Sequence, residues 1–185
     1  MSETKATAAA TTSSRSSNYS VRPATEADMP QIDVIVNNEI KVSVSNFNYG
    51  PRSIEEGLAW FKSTIDGGYP ILVATTLGDQ QQEVVAGYSS LSSFRQKDGF
   101  RFTAEYSVYI HHEHRKRGLG RLLLKELLVE AKKRNFHAII GSISGGNDAS
   151  LFLAKEFGFR VVGTMRENGH KFDQWVDNTF VELLL

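Results

Sequence analysis

The sequence predicts a mixed α/β domain of the α+β class, in which one sheet contains both antiparallel and parallel strands. Two observations predict it. Three β-rich segments separated by turns at Gly78 and Gly99 are typical of an antiparallel meander. A helical pattern at 119–134 between two strand-like runs is typical of a strand–helix–strand unit, whose strands are parallel.

The composition divides the chain into a tail and one folded domain. Residues 1–20 contain six Ser, four Thr and four Ala without apolar periodicity, so they lack the apolar surface that would offset the entropy lost on ordering. We therefore expect residues 1–19 to form a disordered tail. The chain has 185 residues, 41% of them hydrophobic, which suffices for one core. Residues 20–185 are expected to form a single domain.

The domain is predicted to open with a strand and two helices. The stretch at 21–23 ends in proline, which favours extended backbone before it. Thr25 with Asp28 three residues later is typical of a helix start, and apolar residues follow at helical spacing. Ser53 and Glu56 form the same pattern before a second amphipathic segment.

The later elements follow from β-branched and aromatic runs and from one strong helical pattern. Leu119, Leu123 and Leu127 fall on one face of a helix whose last turn is basic, which suits the negative end of the helix dipole. The predicted strands cover residues 70–76, 83–91, 100–111, 138–143, 159–164 and 175–184, and the predicted helices cover 119–134 and 149–157.

Charge and cysteine content exclude several classes of function. Lys and Arg total 21 and Asp and Glu total 21, so no global field favours nucleic acid or a membrane surface. The absence of cysteine excludes disulfides, thiolate zinc sites and a catalytic cysteine. The apolar runs are far shorter than the roughly 20 residues of a membrane span. We expect a cytoplasmic protein, because the tail lacks the features of a secretory signal and is a poor transit peptide.

The segment 106–120 predicts an anion-binding site. A strand runs into a basic, glycine-bearing turn, and the turn opens directly into the helix at 119. Gly118 and Gly120 leave room for a ligand, and the first N–H groups of a helix point outward without partners. Residues 114–134 contain eight Lys or Arg against two Glu, so the local field is positive. A ligand that carries phosphates is therefore expected.

Two common phosphate motifs do not fit this segment. The chain has no G-x-x-x-x-G-K-[ST] loop, and Leu123 stands where G-x-G-x-x-G requires its third glycine. These mismatches argue against nucleoside triphosphate and dinucleotide binding. From the residues alone, a plain strand-to-helix turn with solvated basic side chains also stays open.

The pattern R-x-x-G-x-G at 115–120 resembles the coenzyme A pyrophosphate loop of the GNAT N-acetyltransferase superfamily. Within it, the chain is most similar to the phosphinothricin and methionine sulfoximine N-acetyltransferase branch. The resemblance covers nearly the whole chain after residue 20. Its elements are T-x-E at 103–105, S-V-Y-I at 107–110, G-N-D at 146–148, E-F-G-F at 156–159, G-H-K at 169–171 with Trp175 and Asp177, and N-F at 46–47 ahead of Pro51.

The resemblance implies a strongly twisted mixed sheet of about six to seven strands flanked by helices, splayed between the fourth and fifth strands to admit acetyl-coenzyme A. Backbone groups of Val108, Tyr109 and Ile110 are expected beside the pantetheine arm, and Asn147 is expected to hydrogen-bond it. The residues expected to cradle the pyrophosphate, by N–H groups and basic side chains, are Arg115, Lys116, Arg117, Gly118, Leu119, Gly120 and Arg121.

Members of this superfamily pass acetyl directly from the thioester to an amine. An alkylammonium has a pKa of about 10, so a base must first remove its proton. Glu105 matches the acid of the T-x-E element and is expected to be that base, directly or through water. The alternative interpretation is that Glu105 is a structural carboxylate of the strand, paired with a neighbouring Arg or Tyr. Ala154 stands where many members have a Tyr that protonates the leaving thiolate, which leaves solvent, Tyr106, Tyr109 or His170 for that step.

Four residues are expected at the acceptor. Arg95 and Lys97 match basic residues of the branch and would pair with a substrate carboxylate or phosphinate, unless they are simply exposed loop cations. Phe47 and Phe102 would be apolar walls, or alternatively core. The histidines at 111, 112 and 114 lack an acid of matching geometry, so no metal is expected.

The implied function is an acetyl-coenzyme A-dependent N-acetyltransferase acting on a small amino-acid-like amine, of the phosphinothricin or methionine sulfoximine type. Two alternatives stay open: acetylation of a protein or peptide, and a coenzyme A-binding module without catalysis. Relatives often form dimers, and the strands after Gly158 are the expected homodimer interface. No nucleic-acid or membrane partner is expected.

Overall fold

The structure, a computed structural model, describes residues 18–185, so residues 1–17 of the predicted tail lie outside the described part. The described strands are β1 (Ser20–Pro23), β2 (Ile71–Leu77), β3 (Glu83–Ser93), β4 (Thr103–Ile110), β5 (Ala138–Ser144), β6 (Arg160–Lys171) and β7 (Gln174–Leu184). The described helices are α1 (Met29–Val42), α2 (Ile54–Asp66), α3 (Leu119–Lys133) and α4 (Asp148–Glu156).

Both predicted helix starts are capping boxes in the structure. The Glu56 N–H donates to Ser53 Oγ at 3.2 Å, and the Ser53 N–H donates to Glu56 Oε2 at 2.7 Å. Asp28 Oδ2 accepts from the Thr25 N–H at 2.8 Å, ahead of α1. Each box satisfies N–H groups that a helix start leaves unpaired, which is why these short motifs fix the helix boundaries.

The strands form one mixed sheet of the predicted kind, in the order β1-β2-β3-β4-β5-β7-β6. The strands from β1 to β4 pair antiparallel, β4 pairs parallel with β5, and β7 pairs antiparallel with both β5 and β6. The mixed α/β fold class and the strand count are thereby confirmed. In residues 18–185 no helix is long and apolar enough to cross a membrane.

The splay between the fourth and fifth strands is visible in the pairing of β4 with β5. The two strands pair only where Thr103, Ala104 and Glu105 lie opposite residues 138–140. Beyond Glu105, β4 continues to Ile110 on β3 alone, while β5 continues to Ser144 on β7 alone. The sheet therefore opens into a fork, and Glu105 lies at its closed end.

Two apolar layers cover the sheet. On one face the leucines of α3, including Leu123 and Leu127, pack with Ala104 and Ile139 in one buried cluster. On the other face α1 and α2 bury a second cluster, to which Tyr88 and Tyr109 contribute stacked rings at 5.4 Å. The β4 side chains alternate between these layers, so Glu105 lies on the same face as Tyr109.

The sixth strand is longer than the sequence indicated. Strand character was predicted to end at Thr164, but β6 continues to Lys171. The pairing slips between Met165 and Gly169, and Glu167 adopts a left-handed φ of 53° within this irregularity. Hydrogen bonding to β7 restores the strand afterwards, and it brings His170 opposite Trp175.

A glycine in β5 makes room for an aromatic ring of β4. A Cβ built at Gly141 would lie 2.4 Å from Tyr106 Cε1 and 2.9 Å from Val181 Cγ2, because the Tyr106 ring crosses over this position. We expect Gly141→Ala to lower the free energy of unfolding by about 1–3 kcal/mol, since the ring and its neighbours must shift. Denaturant unfolding measures this change.

Gly99→Ala is the matched control, because a Cβ at Gly99 meets no atom within 4 Å and its φ is not left-handed. Its unfolding free energy should stay within about 0.5 kcal/mol of the wild type. Equal losses in the two variants would contradict the packing role assigned to Gly141.

Candidate active site

Beyond Glu105, the open arm of the fork presents backbone groups that are not paired with a neighbouring strand. The His111 N–H donates to Ala86 O of β3 at 2.9 Å, and successive strand residues point their peptide groups to opposite sides. Tyr109 and Ser107 therefore direct their N–H and C=O groups toward β3. Val108 and Ile110 direct theirs into the fork, where the Ile110 carbonyl accepts from Arg115 Nε at 3.3 Å. An extended ligand lying in the fork can hydrogen-bond to this edge as a neighbouring strand would.

The loop after β4 is built as an anion cradle. Lys116 and Gly118 have left-handed φ values of 60° and 84°, which turn the chain from the strand into α3. None of the backbone N–H groups of residues 116–121 donates to an acceptor within residues 18–185. Six consecutive free donors at a helix N-terminus favour a phosphate group.

Two of the predicted phosphate-binding side chains are already paired with carboxylates. Arg115 forms an ion pair with Glu39, a buried residue of α1. Arg121 donates from Nε and Nη2 to the two carboxylate oxygens of Glu156, both at 2.7 Å. In the described part of the chain, Arg117 has no carboxylate partner, and it donates instead to the Tyr19 hydroxyl at 3.1 Å.

Asn147 lies at the other arm of the fork, after β5. Its Oδ1 accepts from the Ser150 N–H at 3.1 Å and so caps α4, while its Nδ2 donates to Ser45 Oγ at 3.1 Å. The side chain thus joins α4 to the loop after α1. Ala154, seven residues further, is fully buried in the α3 cluster, where its small side chain fits the core.

Glu105 is a carboxylate at the closed end of the fork, opposite Ile140 of β5. It is half-buried, and burial raises the pKa of its carboxyl above the ordinary value. Within residues 18–185 it forms no ion pair, so the neighbouring Arg of the alternative interpretation is not found. A partly desolvated carboxylate without a competing cation is suited to accept a proton.

The two tyrosines near Glu105 lie in different environments. Burial raises the pKa of Tyr106 to about 12, and its ring packs against Phe159 on the α3 side of the sheet. Tyr109 lies on the Glu105 side, where burial is the main cause that raises the pKa of its hydroxyl, with Glu39 and Glu105 adding to it. Both phenols therefore stay protonated at neutral pH.

An open pocket of about 490 Å³ lies on the Glu105 face of the sheet. Ser142 relates the pocket to Glu105. Glu105 pairs with Ile140 of β5, and Ser142, two residues later on β5, points to the same face of the sheet. The lining residues are Phe47, Tyr49, Ser142, Asn168, Gly169, His170 and Asn178.

The pocket wall is polar but uncharged over most of its lining. The Tyr49 hydroxyl donates to His170 O at 2.8 Å and lies 3.1 Å from His170 Nδ1. Asn178 Nδ2 donates to Asn168 Oδ1 at 2.8 Å. The Phe47 ring closes one side so tightly that a Cβ at Gly169 would lie 2.4 Å from its Cε1. Such a pocket can hold a side chain with neutral polar oxygens.

A buried lysine fixes the loop that carries Phe47 and Tyr49. Lys171 is 2% exposed, and its Nζ donates to Ser43 O at 2.9 Å and to Asn46 O. Burial lowers the pKa of this ammonium group. Tyr109 adds a longer contact, from its hydroxyl to Ser45 O at 3.4 Å. The loop between α1 and α2 is thus tied to both arms of the fork.

The other predicted acceptor residues lie outside this pocket lining. Arg95 lies over the rings of Phe94 and Phe100, with its Cζ 5.2 and 5.6 Å from their centroids. Lys97 is exposed, and Phe102 is 48% exposed. Arg95, Lys97 and Phe102 therefore share the connection from β3 to β4, near the closed end of the fork, while Phe47 alone lines the pocket.

Sequence reasoning missed most of the pocket. Tyr49, Ser142, Asn168 and Asn178 come from four separate segments and carry no motif of their own. The nearest signal was G-H-K at 169–171, whose histidine lines the pocket and whose lysine anchors the opposite loop.

The histidine cluster shows no metal geometry. The His111 and His112 rings lie 4.4 Å apart, and His111 Nδ1 is buried without a hydrogen-bond partner. Within residues 18–185 no group of three His, Cys, Asp or Glu side chains is arranged to hold a metal ion.

Comparison with known proteins places this geometry in one family. Residues 21–180 match the family model described as an acetyltransferase (GNAT) domain. The L-amino acid N-acyltransferase MnaT of Escherichia coli K12 is 38% identical over 166 residues, which cover 90% of this chain and 94% of MnaT. The L-methionine sulfoximine/L-methionine sulfone acetyltransferase of Pseudomonas aeruginosa is 37% identical with the same coverage.

Solved structures agree with this assignment. The structure of yncA from Salmonella typhimurium with its cofactor acetyl-CoA has a TM-score of 0.86 and 37% identity, covering 91% of this chain and 94% of that one. A phosphinothricin acetyltransferase from Sinorhizobium meliloti in complex with acetyl-CoA has a TM-score of 0.85 and 31% identity, covering 91% and 89%.

Proposed function

The chain belongs to the GNAT family of N-acetyltransferases, and we propose on this premise that its acceptor is the primary amine of a small amino-acid-like molecule, of the phosphinothricin or methionine sulfoximine type. The observation that carries the proposal is Glu105, a half-buried carboxylate without an ion-pair partner in the described chain. It lies where the open β4 edge meets the face that bears the pocket.

The co-substrate acetyl-CoA fits the groups that the fork leaves free. The N–H groups of residues 116–121 would hold the pyrophosphate, with Arg117 and Lys116 supplying charge, while Arg115 and Arg121 stay paired with carboxylates. The Val108 and Ile110 peptide groups would pair with the pantetheine amides. Asn147 has one further amide hydrogen and one lone pair for the same arm.

Glu105 would act before bond formation. An ammonium group has no lone pair, so its proton passes to the Glu105 carboxylate, directly or through one water. The amine nitrogen then attacks the thioester carbonyl carbon, the C–S bond breaks, and the nitrogen releases its second proton to solvent as the neutral amide forms. A backbone N–H of the β4 edge would stabilise the negative charge on the carbonyl oxygen.

The leaving thiolate takes its proton from solvent in this proposal. Ala154 is buried in the core and supplies no proton. Tyr106 packs on the α3 face, and its pKa of about 12 makes it a weaker acid than an ordinary tyrosine. A thiolate of moderate basicity needs no stronger acid than water for this step.

The acceptor side chain would lie in the pocket beneath Phe47 and Tyr49. Its polar, mostly uncharged wall suits sulfone, sulfoximine or phosphinate oxygens, which accept hydrogen bonds from hydroxyl and amide donors. Arg95 or Lys97 would pair with the acceptor's carboxylate from the β3–β4 connection. Phe102, on the same connection, would be an apolar wall beside the acceptor.

The test is thiol release from acetyl-CoA with L-methionine sulfone, L-methionine sulfoximine, phosphinothricin, unmodified amino acids and polyamines. We expect turnover with at least one of the three amino-acid analogues, and a loss of about 10²- to 10⁴-fold in kcat for Glu105→Gln, because the variant cannot accept the proton. Glu26→Gln, an exposed carboxylate change before α1, should leave kcat unchanged.

The pH profile separates a base from a structural carboxylate. Burial raises the Glu105 pKa above 4.5, and activity needs the ionised form. The rate should therefore fall as the pH drops through this raised value, and the acidic limb assigned to Glu105 should vanish in Glu105→Gln. An unchanged limb in the variant would exclude Glu105 as the base.

The carboxylate pairing assigned to Arg95 gives a second prediction. Arg95→Ala should lower kcat/KM by about tenfold or more for an amino-acid acceptor, and should leave an amine without a carboxylate unaffected. Arg134→Ala is the control, because Arg134 is an exposed arginine at the end of α3 that pairs with Glu130, and it should leave kcat/KM unchanged. Equal losses for both acceptors would place Arg95 outside the acceptor site.

The alternatives predict other results in these assays. A peptide acceptor predicts turnover with a peptide panel and none with amino acids. A binding module predicts calorimetric coenzyme A binding without turnover, and no effect of Glu105→Gln.

We further propose a cytoplasmic homodimer whose interface includes β6. This strand is the edge of the sheet, and its residues from Arg160 to Glu167 are exposed, with Val162 51% and Met165 57% exposed. An unpaired edge strand with apolar side chains favours association with a second copy.

Light scattering should give twice the chain mass for the wild type. Val162→Lys should give a monomer, whereas Leu77→Lys on β2, another exposed apolar position, should not. A monomeric wild type would contradict this assembly.

A further inference from the structure

Tyr19 contacts the anion-binding loop after β4 from the segment that precedes β1. It precedes β1, and it lies ahead of residues 21–180, which match the family model. The sheet holds this segment in place, because Thr76 Oγ1 donates to Asn18 O at 2.9 Å and Ser20 Oγ lies 3.1 Å from Thr75 Oγ1. The Tyr19 ring also packs against the α3 core cluster.

The Tyr19 hydroxyl joins two side chains of the loop. Arg117 Nη1 donates to it at 3.1 Å, and it lies 2.9 Å from His114 Nδ1. The His114 ring meets the Tyr19 ring edge to face, with centroids 5.8 Å apart. Arg117 is otherwise exposed, so this contact is what defines the direction of its guanidinium.

The direction of these hydrogen bonds follows from the donors available. Arg117 is a donor only, so the Tyr19 oxygen accepts from it. The Tyr19 hydrogen is then free to be donated to Nδ1 of a neutral His114. Burial and the nearby Arg117 lower the His114 pKa, which favours the neutral imidazole at neutral pH. The chain of bonds from Arg117 through Tyr19 to His114 is therefore satisfied.

Arg117 differs from the other two arginines of the loop. Arg115 and Arg121 are neutralised by Glu39 and Glu156, whereas Arg117 has no carboxylate partner within residues 18–185. Its full charge stays available to a phosphate group. A long, exposed side chain loses much rotamer entropy when it binds, and a partner that orients it beforehand reduces that loss.

We propose that Tyr19 is a positioning residue for the co-substrate, which orients Arg117 toward the phosphate groups of coenzyme A. This inference rests on the proposed function, because it takes acetyl-CoA as the ligand of the loop. It adds to the binding site a residue that precedes the matched range 21–180. Tyr19 contacts no phosphate itself in this arrangement.

The experiment is a double-mutant cycle read by calorimetry and kinetics. Tyr19→Phe, Arg117→Ala and the double variant are titrated with coenzyme A and with dephospho-coenzyme A. Tyr19→Phe should raise the coenzyme A Kd and the acetyl-CoA KM by roughly three- to tenfold, while kcat at saturating acetyl-CoA and the acceptor KM stay at wild-type values. In the Arg117→Ala background, Tyr19→Phe should have no further effect.

Tyr69→Phe is the matched control, since it removes a hydroxyl from a half-buried tyrosine that stacks on Phe136, at the opposite end of β2. It should leave the coenzyme A Kd unchanged. Comparing coenzyme A with dephospho-coenzyme A, which lacks the 3′-phosphate, identifies the phosphate that Arg117 binds. If the effect of Tyr19→Phe on Kd is lost with dephospho-coenzyme A, Arg117 binds the 3′-phosphate. If the effect is retained, Arg117 binds the pyrophosphate.

Two results would overturn the inference. One is a wild-type Kd in Tyr19→Phe, and the other is an equal effect of Tyr19→Phe with and without Arg117, which would mean that Tyr19 acts by another route. Failure of the wild type to bind coenzyme A at all would instead overturn the proposed function. Wild-type kcat at saturation shows that the variant is folded.

Discussion

The separation of β4 from β5 after three residue pairs is the constraint on which the whole site depends. Strands that diverge leave N–H and C=O groups without partners, and such groups must bind water or a ligand. Here the divergence leaves the Val108 and Ile110 peptide groups without a strand partner along one arm of the fork. It also places Glu105 at the last paired position, where the carboxylate is half-buried yet still accessible.

A second consequence of the fork is that something must hold its arms at a fixed separation. The loop between α1 and α2 does so, because Lys171 binds its Ser43 and Asn46 carbonyls while Asn147 binds Ser45. The buried ammonium of Lys171 loses hydration, and the backbone carbonyls replace part of it. The same loop carries Phe47 and Tyr49, so the element that braces the fork is also the wall of the pocket.

Charge is distributed locally in a chain of zero net charge. The basic loop looks like a uniform positive patch in the sequence, but in the structure Arg115 and Arg121 form ion pairs with Glu39 and Glu156. What remains for a phosphate is a row of backbone donors, the positive end of α3 and the charges of Lys116 and Arg117. Backbone donors are fixed in place by the fold, so they need little reorganisation when an anion binds.

Local sequence determined where the helices begin and the anion-binding loop at 115–120. Capping boxes at Thr25 and Ser53, and the glycine turn at 118 before an amphipathic helix, act over three to five residues, and the resemblance of 115–120 to a known loop rests on equally short spacing. Only the tertiary structure decided what depends on distant contacts: the extension of β6 to Lys171 through pairing with β7, the ion pair of Arg115 with Glu39, and the four-segment pocket. The physical reason is range, because a local motif satisfies neighbouring backbone groups, whereas a fork, a pocket or a buried ion pair exists only after strands far apart in the chain have met.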